Sequence, residues 1–142
     1  MDRAEVDLLL DTHLRALRDG DVETLMNTVS EDVEYDLVGA TPASLRGRDA
    51  VRAHHLQEFA NTMLERSIPL RRLHGQGFVI DEQIWEGRIT GHVGSLVGSG
   101  RRVSLRILRV VEVAGDQVTR QTVYTDFAAL SRQLDRGPSP MS

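Results

Sequence analysis

Apolar positions follow a helical period in the first part of the chain and an alternating one in the second. Val6, Leu9, Leu10, His13, Leu14 and Leu17 share one face, which predicts an amphipathic helix over Leu8–Arg18 with His13 in the middle of its stripe. Gly20 is placed to end it, with Arg18 near the negative end of the helix dipole. Asp21 is placed to cap a second short helix that turns Leu25, Met26 and Val29 inward. Ser30-Glu31-Asp32 reads as a turn into a short strand from Val33, broken at Gly39. A turn with Pro42 and Ser44 follows, and then a long helix from Arg48 to about Arg66. Val51, His55, Phe59 and Met63 share one flank of that helix, and Pro69 reads as its stop.

From Leu70 onward the pattern predicts strands over Arg71–Ile80, Ile84–Val97, Arg102–Val113 and Val118–Phe127. Asp81-Glu82, Gly98-Ser99-Gly100 and Ala114-Gly115-Asp116 read as the turns between them. Gly87, Gly91 and Gly94 inside the second strand predict bends or bulges, hence strong curvature. The order is helix, helix, strand, helix, then four strands. That predicts an α+β fold: a cone-shaped, curved antiparallel sheet wrapped by about three N-terminal helices around an interior pocket. No repeat or linker divides the chain, so a single domain is expected over residues 1–136. Gly137-Pro138-Ser139-Pro140 begins a loose tail over residues 137–142.

Composition narrows the chemistry. The chain has no cysteine, which excludes thiolate catalysis, disulfides and cysteine metal sites. None of its 17 basic residues is lysine, which excludes a Schiff-base lysine. The net charge of −4 argues against nucleic acid as a partner. No run is long enough to span a bilayer, and the start lacks a basic n-region. A soluble, cytoplasmic protein with no membrane partner is therefore expected.

The polar residues set among apolar ones are the candidate site. Asp36 ends its strand between Tyr35 and Leu37 and is expected at the mouth of the pocket. On the strand Arg102–Val113, one parity row is apolar except for Arg109. A core-facing arginine needs an anion, so Arg109 pairs with Asp36 or Asp126, or contacts substrate. Tyr124 and Asp126 share one side of the last strand, where a phenol and a carboxylate can donate to and accept from a substrate oxygen. His13 is either a bonded core histidine or a functional one. His54 and His55 face different ways on their helix, and only His55 follows the flank of Val51 and Phe59. His92, in the bend Gly-His-Val-Gly, faces pocket or solvent, and Trp85 serves as core, as substrate platform or as both. No spacing brings together the converging ligands a metal needs, so neither a metal nor another cofactor is expected.

Three stretches carry a family resemblance. They are Asp19-Gly20-Asp21-Val22-Glu23-Thr24-Leu25; Tyr35–Pro42 followed by Arg46–Val51; and Gly91–Val103 with Tyr124-Thr125-Asp126 and Leu130–Leu134. With the element order, they resemble the NTF2-like superfamily, which includes ketosteroid isomerases, SnoaL-like polyketide cyclases and limonene-type epoxide hydrolases. The resemblance implies Asp36 as the isomerase general base and Asp126 as the SnoaL-like acid/base aspartate. It places His13 and Arg109 where the isomerases hold their oxyanion donors, a departure from the neutral groups used there. Arg120 replaces an acidic residue, and Leu108 stands where the hydrolases' Arg-x-Asp triplet has its aspartate.

The function implied is a cofactor-independent cyclase or isomerase of secondary metabolism, acting on a hydrophobic, oxygenated polyketide or terpenoid intermediate. Asp36, Asp126, His13 and Arg109 would be catalytic; Tyr124, His55, His92, Trp85 and Phe59 would bind substrate. The alternatives are an epoxide-opening cyclase or hydrolase and a non-catalytic ligand-binding cone. A homodimer through the outer sheet face is expected, since Leu108 and Val110 lie there among arginines.

Overall fold

Asp2 and Gly20 mark the two ends of helix α1, Arg3–Asp19. The Asp2 carboxylate accepts the Glu5 N–H at 2.8 Å, and Gly20 takes the left-handed conformation, φ 68°, that closes the last turn. Asp21 caps α2, Val22–Asn27, through the Thr24 N–H. The Gly20 end and the Asp21 cap agree with the sequence reading, whereas α1 starts at Arg3, ahead of the expected Leu8. The structure is a computed structural model that describes residues 1–135; the tail expected over 137–142 lies outside the described residues.

Strand β1, Val29–Val38, begins earlier than expected and takes in Ser30-Glu31-Asp32. A short β2, Ser44–Arg46, folds back on it antiparallel. Helix α3, Arg48–Asn61, stops short of Arg66. Asn61 explains the stop: its carbonyl accepts from the Thr90 and Gly91 N–H groups, and its Oδ1 accepts the His92 N–H. The chain then extends at Thr62 into strand β3, Thr62–Gly75. Pro69 lies inside that strand instead of ending a helix. It is tolerated because β3 is an edge strand and the ladder shifts register between Pro69 and Arg71.

Strand β4, Phe78–Ile89, follows a turn that uses Gly77 at φ 79°. Asp81 and Glu82 are therefore mid-strand and not a turn. At Gly87 a Cβ would come within 2.3 Å of the Met63 carbonyl oxygen, so only glycine allows β3 and β4 to approach this closely. Past Ile89 the expected long strand ends, and β5, His92–Val93, and β6, Leu96–Val97, form a separate small hairpin. Strands β7, Arg101–Ala114, and β8, Gln117–Thr125, close the main sheet. A fourth helix, α4, Phe127–Asp135, was not expected. Strand β7 outruns β8, and Gln133 of α4 satisfies its free edge: the Gln133 amide accepts the Ser104 N–H and donates to the Ser104 carbonyl.

The fold is α+β, as expected. Its six-stranded sheet runs β2-β1-β8-β7-β4-β3. All pairings are antiparallel except β1–β8, which is parallel. Neighbours made by short turns must be antiparallel, but β1 and β8 meet from opposite ends of the chain and escape that constraint. Tyr35, Val79, Asp81, Val103, Leu105, Ile107, Val111, Gln121 and Val123 are buried on the face covered by the helices. Leu10, Leu25, Val51 and Leu130 pack onto it from the four helices. Among the described residues, no helix is long and apolar enough to cross a membrane.

Candidate active site

Strand parity sorts the candidate residues onto two faces of the sheet. On β7, the row Val103, Leu105, Ile107, Arg109 and Val111 faces the helices, as its apolar character predicted. On β8 the inward residues are Gln121 and Val123, on β4 Val79 and Asp81, and on β1 Val33 and Tyr35. Helix α1 adds His13 and α3 adds His55, both 1 % exposed.

His13 is held in one tautomer. Thr28 donates its hydroxyl proton to the Leu25 carbonyl at 2.7 Å, so its Oγ1 is left to accept from His13 Nδ1, also at 2.7 Å. His13 Nε2 then accepts from Gln121 Nε2 at 3.1 Å. Burial, with the nearby charges of His55 and Arg109, lowers the imidazole to about 3. His13 is thus a neutral, fully bonded core histidine with neither nitrogen free for an oxyanion.

A second cluster sits on α3. His55 Nδ1 lies 3.4 Å from Glu58 Oε1, and His54 Nε2 lies 3.7 Å from Glu58 Oε2. The adjacent histidines were expected to diverge, yet their ring centroids are only 5.2 Å apart. The Tyr35 ring lies 5.6 Å from His54 and 5.3 Å from His55, and Phe59 stacks on His55 at 6.2 Å. Burial raises the Tyr35 hydroxyl well above its ordinary range, with Glu58 adding to that and Arg109 opposing it. Desolvation raises the Glu58 carboxyl, but the bond from His55 and the charges of His55, His54 and Arg109 outweigh it and leave the group below its ordinary value. Burial lowers His54, against the pull of Glu58.

Arg109 and Asp81 are paired across β7 and β4 and share the inward face. Asp81 Oδ1 accepts from Arg72 Nε at 3.1 Å, and Arg72 also binds Asp7 and Asp11 of α1, at 3.1 and 2.9 Å. One Asp81 oxygen is thus anchored. The other, Oδ2, is buried without a hydrogen-bond partner among the described residues, as is Arg109 Nε. Among the described residues Arg109 makes no ion pair with Asp36 or Asp126, so of the two expected settings the internal pair is not formed.

Asp36 is on the opposite face. Tyr35 and Leu37 take the inward positions of β1, so the alternation sends Asp36 outward. There it accepts from Arg120 Nε and Nη2 at 3.1 and 2.6 Å and from Ser44 Oγ at 3.0 Å. Burial alone would raise its carboxyl; the Arg120 and Ser44 bonds bring it below its ordinary value. Tyr124, 47 % exposed, lines the same open groove of about 400 Å³. Asp126 lies beyond the end of β8, and its Oδ1 accepts the Ala129 N–H at 3.0 Å, which makes it the cap of α4. Tyr124 and Asp126 are therefore not partners at one site. His92 is exposed, with Nδ1 against the Gly94 carbonyl at 3.1 Å. Trp85 and Phe59 are half-buried and pack against the core from inside the cone.

The structure thus brings Arg109, His55, Phe59 and Trp85 to the concave side and leaves Asp36, Asp126, Tyr124 and His92 off it. Tyr35, Glu58, Asp81 and Gln121 lie with the first four and are not among the candidates the sequence singles out. Each carried a signal: Glu58 is three and four residues after the histidines, and Asp81, Gln121 and Tyr35 alternate in step with buried valines.

The family model described as the SnoaL-like domain matches residues 10–121. No curated protein sequence is significantly similar to the chain. The fold is similar to that of a Xanthomonas campestris pv. campestris protein provisionally assigned as a polyketide cyclase, with 20% identity, coverage of 94% of this chain and 98% of that one, and TM-score 0.79. An M. tuberculosis LEH-like epoxide hydrolase is 21% identical, with coverage of 94% and 92% and TM-score 0.75. A Catenulispora acidiphila protein with a ketosteroid isomerase-like fold, in complex with trimethylamine, is 14% identical, with coverage of 89% and 91% and TM-score 0.74.

Proposed function

The chain belongs to the SnoaL-like domain family, and on that footing we propose that its concave face performs acid/base chemistry on a hydrophobic, oxygenated small molecule. The observation that carries this reading is the Asp81–Arg109 pairing, in which a carboxylate oxygen and a guanidinium nitrogen are both buried and unpartnered. Such groups cost about 1–3 kcal/mol each unless something satisfies them. A ligand carbonyl and the acidic C–H beside it supply the complementary pair. Arg109 donates to the carbonyl oxygen, and Asp81 Oδ2 takes the neighbouring proton. The electron pair moves onto that oxygen as an enolate held by Arg109; the enolate carbon then attacks a second carbonyl of the same molecule, whose oxygen takes the proton back from Asp81, or the enolate is reprotonated by Asp81 at another carbon. These outcomes are cyclisation and isomerisation. The open groove that Asp81 lines, about 420 Å³, is bounded by Asp7, Asp11, Leu70, Arg72 and His74, and Tyr35, Trp85 and Phe59 would supply apolar contact from the concave face.

The same pair would also suit epoxide opening, with Asp81 activating a water. Solvent ¹⁸O entering the product identifies that reaction.

The test is hydrogen–deuterium exchange at the acidic carbon of a panel of hydrophobic 1,3-dicarbonyl compounds, followed by NMR. Wild-type protein should accelerate exchange for some members, and Asp81→Asn should not. Equal exchange by the two proteins removes Asp81 from the mechanism. We also propose a homodimer through the outer sheet face, where Ile80, Ile84, Leu108 and Val110 are half-buried.

A further inference from the structure

The acid/base reading rests on Asp81 and Arg109 and leaves the cluster on α3 unused. We propose that His54, His55 and Glu58 form a binding site for a single divalent transition-metal ion of the zinc type. One ligand atom from each residue lies within 4.8 Å of the other two. The nearest histidine–carboxylate approaches are 3.4 and 3.7 Å. Donors bonded to a tetrahedral zinc at about 2.0–2.1 Å sit about 3.3–3.4 Å apart, so small side-chain shifts would close the three atoms around one ion. The 3.7 Å approach is too long for a hydrogen bond, and His54 Nε2 is buried without a partner. His55, 1 % exposed, turns its Nδ1 to Glu58, while its Nε2 lies on the far side of the ring. One carboxylate thus serves two imidazoles, and of the two nitrogens facing it His54 Nε2 is the one left without a hydrogen bond.

Helix geometry supplies the spacing. Residues three and four apart lie on one face, which brings Glu58 beneath both histidines. The Tyr35 ring beside both imidazoles, and the Phe59 ring on His55, limit how far either can rotate. Two imidazoles and a carboxylate suit zinc, iron, nickel or copper better than calcium or magnesium. Three protein ligands leave a coordination position open. The charge of Arg109 is felt at Glu58 and opposes a dication there, so the affinity should be moderate.

The experiment is titration of chelator-treated full-length protein with Zn²⁺ by calorimetry, and with Co²⁺ by its visible bands. One equivalent should bind. His54→Gln and Glu58→Gln, both at partly exposed side chains, should each weaken binding about tenfold or more while thermal melting shows a folded protein. His92→Ala, at the exposed hairpin, and Asp81→Asn should bind as wild type. No uptake by the wild type overturns the proposal, as does uptake unchanged in both α3 variants or lost in His92→Ala. Because Asp81→Asn is read here by metal binding alone, failure of the acid/base reading and failure of the metal site give different results.

Discussion

Asp81 and Arg109 face each other across neighbouring antiparallel strands, and each keeps a buried polar atom that no group among the described residues satisfies. If Arg109 holds the developing negative charge, Arg109→Gln should lower kcat about 10²-fold or more with the fold intact. Steady-state kinetics on any compound that passes the exchange screen would show it. A variant with wild-type kcat assigns Arg109 to structure alone.

The bonded His13 makes stability depend on pH. Its pKa falls from 6.5 to about 3 on folding. Between those values the unfolded chain binds the proton and the folded chain does not. Stability is therefore full above about pH 6.5 and declines as pH falls, by about 1.4 kcal/mol per pH unit from this group. Urea unfolding from pH 7 to pH 4.5 should show the slope. His13→Gln should flatten it, and an unchanged slope in that variant would assign the dependence elsewhere.

Asp36 tests the face assignment. Its partner Arg120 is 45 % exposed, and ion pairs of that kind contribute about 1 kcal/mol or less. Asp36→Asn should leave turnover within about twofold of wild type and stability within that margin. A large loss of turnover would return Asp36 to the mechanism and refute the concave-face reading.

Asp126 should behave as a helix cap. Asp126→Ala is expected to cost about 1 kcal/mol, and Asp126→Ser to recover most of it, in denaturant unfolding. A catalytic aspartate would show the opposite: serine would fold well but fail to turn over.

The outer face gives a further outcome. Leu108→Glu should shift the protein from dimer to monomer in sedimentation equilibrium, since a charge there would have to be buried between subunits. A wild-type monomer refutes the dimer directly.

Much of this was legible in the residues. The stripe on α1, the caps Gly20 and Asp21 and the parity of β7 follow from local periodicity, and all three stand in the structure. Immediate neighbours suggest one setting for Asp36, Asp81 and Asp126, but distant partners decide it. Asp36 meets Arg120 on another strand, Asp81 meets Arg72 and faces Arg109, and Asp126 caps a helix where the alternation predicts a strand running on to Phe127. The α3–β3 boundary was missed for the same reason. Asn61 ends the helix through bonds to Thr90, Gly91 and His92, which lie well ahead in sequence.

Pro69 also bears on solubility. Strand β3 runs from Thr62 to Gly75 as an edge strand of the sheet, and an edge of that length can template the addition of another chain. The proline withholds one donor, the two register shifts in the strand bend the row of the others, and Arg66 and Arg71 place charge beside them. Pro69→Val would restore the missing donor. The cost would be borne at high concentration or during refolding, as growth of intermolecular sheet, and the isolated native molecule would carry little sign of the change.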